Sequence, residues 1–216
     1  MMDKLNHEFI VRADLHCHTR ASFDGFTTSQ ELLRACRIKN INAVAITEHD
    51  LINRINKIDF IKHGIHIIDG CEYTTNKGAH IIGLFVNSII ANGSSDDVIE
   101  NIKSQDGLVL IPHPFKPGSG VCAIYKDPSS ILEKSDMIEL FNGGYKLNEV
   151  EKNKIYTLSN KFKLKLVANS DSHKINQFGY YSTVFKPGNY KDIKSILKNC
   201  DSELYIDSLI FSSPRS

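Results

Sequence analysis

Several features are absent from this chain, and each absence removes a class of protein. No apolar run among its 216 residues approaches the length of a membrane span, and Asp3, His7 and Glu8 stand where a secretory leader would carry basic residues and an apolar core. No membrane partner and no export are expected, which points to the cytoplasm. There is no Cys-x-x-Cys pair, and the five cysteines, Cys17, Cys36, Cys71, Cys122 and Cys200, are odd in number. That disfavours a disulfide framework and a thiolate zinc knuckle, and suits a reducing compartment. Neither sign of charge dominates: 26 Lys and Arg against 25 Asp and Glu leave a net charge of +1, with no basic block. Stable nucleic-acid binding is therefore not expected, whereas a small anionic substrate is compatible with the balance. Internal repeats and low-complexity linkers are also missing. A hydrophobic content of 41% then reads as one domain over residues 1–216, large enough to bury a full core.

What the chain does have is histidine beside carboxylate, in recurring short motifs. Asp14-Leu15-His16-Cys17-His18-Thr19 follows the apolar Phe9-Ile10-Val11 and reads as the exit of a first strand. Alternate residues of an extended chain share a face, so His16 and His18 reach one ion while Cys17 turns away to pack. A lone His-x-His is as often structural as ligating. Here the pattern returns as Thr47-Glu48-His49-Asp50, Gly70-Cys71-Glu72, His80, His113-Pro114, Glu139 and Asn169-Ser170-Asp171-Ser172-His173, nearly always after a short aliphatic segment. Asp14 and Asp50 are expected to orient neighbouring histidines, while Glu48 and Glu139 either support ligands or are solvated. Cys71, like Cys17, is expected to pack. His7, His63 and His66 lack a partner motif and read as structural.

Strand and helix signals alternate along the chain. Strands are expected over Phe9–Leu15, Ala43–Ile46, Ile65–Ile68, Leu108–Ile111, Met137–Phe141, Leu164–Ala168 and Tyr181–Phe185, with a further apolar run over Ala79–Val86. Between them lie helical patterns: one opened by Thr28 with Glu31 three residues on, then Asn53–His63, Ser95–Gln105, Ser129–Lys134, Lys146–Asn160 and Tyr190–Leu197. Such alternation implies parallel strands joined by right-handed crossovers, and about seven units favour a closed or nearly closed barrel. In such a barrel the C-terminal strand ends open on one face, so ligands far apart in sequence converge there. His80 begins its apolar run instead of ending it. A hairpin turn over Thr74-Thr75-Asn76-Lys77-Gly78, centred on Asn76, would set it roughly opposite Glu72, about 5 Å apart at Cβ.

Imidazole and carboxylate without thiolate suit zinc, iron or manganese, and more than six such groups exceed what one ion holds. Two ions or more are implied, with Glu72 bridging because each of its oxygens can serve a different ion. Paired ions polarise a phosphoryl oxygen, generate hydroxide near neutral pH and stabilise the leaving oxygen, the usual arrangement for phosphoester hydrolysis.

These motifs, together with Asp24-Gly25, resemble the polymerase and histidinol phosphatase domain of metal-dependent phosphoesterases over most of the chain. The resemblance implies a distorted seven-stranded β/α barrel, (β/α)7 and TIM-like, with a trinuclear site of zinc, manganese or iron. Carried over residue by residue, one ion takes His16, His18, Glu72 and Asp171, a second takes Glu72, His80 and His113, and a third takes Asp24, His49 and His173. Glu72, Asp171 and His173 read as catalytic. Gly118-Ser119-Gly120 and Asn142-Gly143-Gly144 read as loops beside the site.

A phosphate also needs cations beyond the metals, and Arg20, Lys116 and Lys174 each follow a ligand motif closely enough to sit at the same rim. The expected activity is hydrolysis of a small phosphomonoester or terminal phosphodiester by a metal-activated hydroxide. An exonuclease would need a basic, aromatic-lined groove, of which the near-neutral charge gives little sign. A metal-binding regulatory module whose catalysis has lapsed is opposed by the complete ligand set.

Overall fold

The computed structural model describes residues 10–186 and 192–207. Its elements run β1 (Val11–Cys17), α1 (Ser29–Lys39), β2 (Ala43–Ile46), α2 (Ile58–Lys62), β3 (His66–Thr74), β4 (His80–Leu84), α3 (Ser95–Ser104), β5 (Leu108–Ile111), α4 (Val121–Ile124), α5 (Ser129–Glu133), β6 (Met137–Asn142), α6 (Glu149–Phe162), β7 (Lys165–Asn169), β8 (Tyr181–Phe185), α7 (Ile193–Asn199) and β9 (Ser202–Ile206). His7, the Phe9 start of the first expected strand and the Tyr190 start of the last expected helix lie outside the described residues. Among the described residues no helix is long and apolar enough to cross a membrane.

All nine strands belong to one sheet, in the order β7-β6-β5-β4-β3-β2-β1-β8-β9. It curls into a nearly closed barrel with helices outside. Pairing is parallel in β1-β2-β3 and β5-β6-β7 but antiparallel wherever β4 and β8 take part; the antiparallel β3-β4 hairpin is expected from the sequence, whereas the antiparallel placement of β8 departs from the parallel expectation. The reversal of β4 has a functional effect: its first residue, His80, lies at the rim where its neighbours end.

Closure uses side chains where the strand ladder stops. The buried Thr183 hydroxyl on β8 accepts from Ala168 N on β7 at 2.9 Å and donates to Ala168 O at 3.0 Å. Asn169 Oδ1 accepts from Leu15 N at 2.8 Å. At the rim the backbone takes over, His18 N donating to Ser172 O at 2.9 Å and Asp171 N to His16 O at 2.8 Å. These bonds satisfy buried edge groups that would otherwise be orphaned.

Alternation sorts the core into layers. Val11, Ala13, Leu15, Ala43, Ala45, Leu110 and Val167 fill the barrel, while Val44, Ile46 and Cys17 pack under α1 and α2 with Leu32, Cys36 and Phe60. Cys71, Tyr73, Ile81, Val109 and Ile138 pack under α3, α5 and α6 with Ile102, Leu132 and Ile155. Cys17 would face inward with Leu15 were it not for a register shift in β1 between Asp14 and Cys17. This bulge reverses the parity, so Cys17 turns to the helices and His16 and His18 face the barrel mouth.

Three expected elements differ. Over Asn53–His63 only Ile58–Lys62 is helical, because the side chains before it are engaged elsewhere: Asn53 Nδ2 donates to Glu48, Arg54 to Asn87 O, and Asn56 Oδ1 accepts from Ile58 N. The strand expected at Ile65–Ile68 extends to Thr74, so Glu72 lies within it. The hairpin is centred on Lys77, with Gly78 at φ +83, and it pairs Thr74 with His80 and Glu72 with Ile82. The shift leaves Glu72 and His80 on the same face as diagonal neighbours, so the expected contact survives the wrong register.

Replacing Thr183 with Val removes both bonds to Ala168 and leaves two buried backbone groups unpaired, which should lower unfolding free energy by about 2–4 kcal/mol. Urea denaturation with an unchanged m-value tests this, and wild-type stability would show that the seam closes without the hydroxyl.

Candidate metal centre

The rim is organised around one buried carboxylate. Glu72 Oε2 lies 3.3 Å from His16 Nε2, His18 Nε2 and His49 Nδ1, and Oε1 lies 2.8 Å from His80 Nδ1 and 3.0 Å from His113 Nε2. Backbone bonds set its position, since Glu72 N donates to Glu48 O and Asp50 N donates to Glu72 O, each at 3.0 Å. Asp171 Oδ1 approaches His16 Nε2 at 3.3 Å and His18 Nε2 at 3.6 Å. Asp24 Oδ2 approaches His173 Nε2 at 3.1 Å and His49 Nε2 at 3.5 Å. All nine expected ligands thus meet in one cluster. Donor atoms fall within 4.8 Å of one another in overlapping groups, among them His18, Asp24, His49 and His173, then His16, His18 and Glu72, then His49, Glu72 and His80.

Two of the expected ligands sit on strained backbone. His113 has φ 27 and Asp171 φ 48, in the left-handed region that L residues enter at a cost of about 1–3 kcal/mol. Asp171 is also crowded, for a Cβ on Gly144 would strike its Oδ2 and a Cβ on Gly143 would strike Ser170 O. The Asn142-Gly143-Gly144 loop therefore approaches as closely as glycine permits.

A web of buried polar groups holds the rings. Glu139, fully buried, sits 3.0 Å from His16 Nδ1 and accepts from His113 N at 2.7 Å, Asn142 Nδ2 at 2.7 Å and Asn169 Nδ2 at 2.9 Å. Glu48, equally buried, accepts from Thr19 N, the Thr19 hydroxyl and Asn53 Nδ2. Ser22 Oγ lies 3.2 Å from His18 Nδ1 and accepts from His49 N. Ring orientation therefore belongs to Glu139 and Ser22, and the expectation for Asp14 and Asp50 is corrected. Asp14 takes the backbone N–H groups of Ser170 and Gly179, and Asp50 takes that of Thr74, so both position chain instead of imidazole. Of the histidines read as structural, His63 is exposed and His66 half-buried, both apart from the cluster.

The bowl above the cluster encloses about 330 Å³, with Phe23, His49, His80, Lys116, Ser119 and His173 in its wall. Lys116 Nζ is 3.8 Å from Asp171 Oδ2, and the buried Ser119 hydroxyl has no partner. Arg20 is exposed and Lys174 rests 5.6 Å from the Phe26 ring; neither lines the bowl. A larger groove of about 510 Å³ between α4 and α6 is lined by residues such as Phe115, Tyr125 and Leu158 and by no His, Asp or Glu, so the nine-residue cluster faces the smaller bowl and not this groove.

Electrostatics favour cations here. Burial alone would raise the pKa of Glu72, but the charge on His16 and hydrogen bonds from His113, His16 and His18 hold it well below the carboxylate range. Asp171 is lowered in the same way by His16 and His18. Burial disfavours the charged form of His18, yet hydrogen bonds to Asp171 and Glu72 push its pKa up to about 9. His16, surrounded by Asp171, Glu72 and Glu139, is raised as well. Protons thus neutralise the carboxylates when nothing else does. Asp24 Oδ1 and Asp171 Oδ2 are buried without a hydrogen bond, Asp171 Oδ2 meeting only the Lys116 ammonium at 3.8 Å, and the Nε2 atoms of His16 and His18 face each other at 3.3 Å. Lone pairs converging this way, without any thiolate, fit divalent ions.

The model of the PHP domain family matches residues 14–212. An uncharacterized protein of Methanocaldococcus jannaschii is 35% identical over 162 residues, covering 67% of this chain and 91% of that protein. A 5'-3' exoribonuclease of Haemophilus influenzae is 38% identical over 76 residues, only 33% of this chain and 27% of that enzyme. Among solved structures, a two-domain protein of Bacteroides vulgatus containing a PHP-like metal-dependent phosphoesterase superposes with a TM-score of 0.70 at 17% identity, covering 95% of this chain and 67% of that one.

Ion uptake must displace the protons on His16 and His18. Apparent affinity for Mn or Zn should rise from pH 6 by up to about tenfold per unit for each proton released, and the His18 share of that rise should level off above about 9. A pH-stat titration at pH 7 should record that release, and ion binding without protons would contradict the raised values. The ion-free protein carries the opposite dependence: the His18 contribution to stability is complete below its ordinary 6.5 and disappears as pH rises through about 9. Replacing Glu139 with Gln removes the charge behind His16 and turns one of two accepting oxygens into a donor, so competition against a chromogenic chelator should show ion affinity reduced about 10–100-fold. Unchanged affinity would make Glu139 a purely structural group.

Proposed function

The chain belongs to the PHP domain family, and on that premise we propose that it hydrolyses a small phosphomonoester or a terminal phosphodiester with two to three divalent ions held by its nine-residue cluster. The observation that carries this reading is Glu72, whose two oxygens face separate imidazole sets: His16, His18 and His49 on one side, His80 and His113 on the other. Divalent ions, when bound, supply Lewis acidity toward a phosphoryl oxygen and make water a nucleophile near neutral pH.

The chain's own residues do the positioning. His16, His18, Glu72 and Asp171 would hold one ion, Glu72, His80 and His113 a second, and Asp24, His49 and His173 a third. Lys116 Nζ and the unpartnered Ser119 hydroxyl come from one loop and would bind phosphoryl oxygens facing the bowl. His173, whose side chain is 26% exposed against 17% for His80 and 14% for His49, stands at the mouth where a leaving alcohol departs. Arg20 and Lys174 lie farther out and would act on approach instead of clamping the phosphate.

Cleavage of nucleotides from a strand end is a second reading, favoured by the Haemophilus relative's name over a third of this chain. The small bowl supports the first, for about 330 Å³ lies at the low end of small-molecule pockets.

A screen of phosphomonoesters, nucleotides, phosphopeptides and short oligonucleotides, using protein reconstituted separately with Mn, Zn and Fe, identifies the substrate. Glu72→Gln keeps the volume but removes the shared charge. Turnover should fall by more than about a hundredfold with far-UV circular dichroism unchanged. Wild-type turnover in that variant would end the bridging role.

A further inference from the structure

Phe23 is 89% exposed, an unusual setting for a large apolar ring, yet the loop that carries it is held in place. The loop around it is tied at both ends: Arg20 N donates to Thr27 O, Ser22 N to Thr19 O, Gly25 N to Ser22 O and Phe26 N to His173 O. Ser22 also packs its hydroxyl against His18 and receives His49 N. A Cβ on Gly25 would collide with Thr19 O, so the turn is as tight as glycine allows. The Phe23 ring sits 5.4 Å from the His49 ring, in the wall of the bowl and next in sequence to the ligand Asp24. Most of its surface is open to solvent. Lys116 and Ser119 stand in the wall of the same bowl, on a different loop.

We infer that Phe23 is a stacking platform and the specificity-determining residue of the site. The favoured substrates are phosphoesters whose alcohol carries a flat ring, such as a nucleoside. Stacking on an aromatic side chain tolerates any base and strengthens binding by about tenfold or more per ring. A fixed platform loses little freedom on binding, which suits a ring that the fold leaves uncovered. Phe26, 65% exposed with Lys174 5.6 Å from its ring, lies on the same loop and would meet a second ring only if the substrate were a strand. The inference rests on the phosphoesterase reading for its catalytic arm alone.

The chain has no tryptophan, so Phe23→Trp places a single fluorophore at the platform. Ile38→Trp, at a 79% exposed position of α1, serves as the control. Adenosine should quench Phe23→Trp saturably, with a midpoint at least about tenfold below the control's, while ribose changes neither. Equal quenching in the two variants overturns the platform. In the catalytic arm, Phe23→Leu should lower kcat/KM for AMP about tenfold relative to ribose 5-phosphate. An equal loss on both substrates would mark a merely structural role and also overturns the inference. If wild type releases phosphate from no ester, the phosphoesterase reading fails while saturable quenching still establishes the platform. An oligonucleotide that quenches at lower concentration than AMP places the ring at a strand end, and equal potency places it in a free nucleotide; both retain Phe23.

Discussion

A single buried carboxylate facing five imidazoles is the constraint to which the rest of the barrel is fitted. Glu72 cannot gather His16, His18, His49, His80 and His113 unless four separate strand ends reach within about 3 Å of it. A regular parallel barrel would bring most of them to the rim but not His80, which starts its strand. Reversing β4 solves that placement. The bulge in β1 solves another, since strict alternation from Val11 through Leu15 would have buried Cys17 in the barrel and pointed the histidines at the helices. The bulge disrupts its ladder locally while the reversed β4 keeps a regular antiparallel register, and both lie next to expected ligands, where such departures cluster.

The cluster is a poor source of stability by itself. Removing several charges from water costs more than their mutual attraction returns unless every lone pair and proton is matched. Here Asp24 Oδ1 and Asp171 Oδ2 accept no hydrogen bond, and His16 and His18 carry raised pKa values to compensate. The scaffold must therefore be held by other means. It is held by the apolar layers on either side of the sheet and by the seam where Thr183 and Asn169 join β7 to β8 and β1. Asn169 links the two systems, since its oxygen closes the barrel and its nitrogen donates to Glu139 behind His16. Ions that replace the protons would couple the site to the fold and make stability depend on their concentration.

Much of this was legible in the sequence because it was written in residue type. Histidine and carboxylate beside aliphatic runs pointed to eight of the nine donors and the face they share, the family resemblance added Asp24, and the capping pair Thr28 and Glu31 marked a helix that the structure begins at Ser29. What escaped depended on register or on long-range hydrogen bonds. Nothing local signals that β1 shifts register before Cys17. The hairpin centre moved from Asn76 to Lys77 because Thr75 N pairs with Ala79 O and Gly78 takes the positive φ. Glu139 could not be told from a solvated glutamate, since its partners His16, His113 and Asn169 are distant in sequence. Gly118-Ser119-Gly120 read as a loop beside the site without singling out its serine, and Phe23 gave no signal, for a phenylalanine in a turn is ordinary until an uncovered ring is seen beside the cluster.

The near-neutral charge of the whole chain and the proposed preference for a phosphate are reconciled at the scale of the bowl. Surface lysines and arginines act through solvent and are screened within about 8–10 Å. Here two of the three rim cations, Arg20 and Lys174, lie outside the bowl. Divalent ions bound inside would be the largest local charges, and two or three of them exceed the three carboxylates among the nine ligands. Attraction for an anion would then be strong at the cluster and weak elsewhere, so a long polyanion would gain little beyond its terminal phosphate. Discrimination among phosphoesters would fall to uncharged contacts around the mouth, and among those the exposed Phe23 ring has the most unused surface.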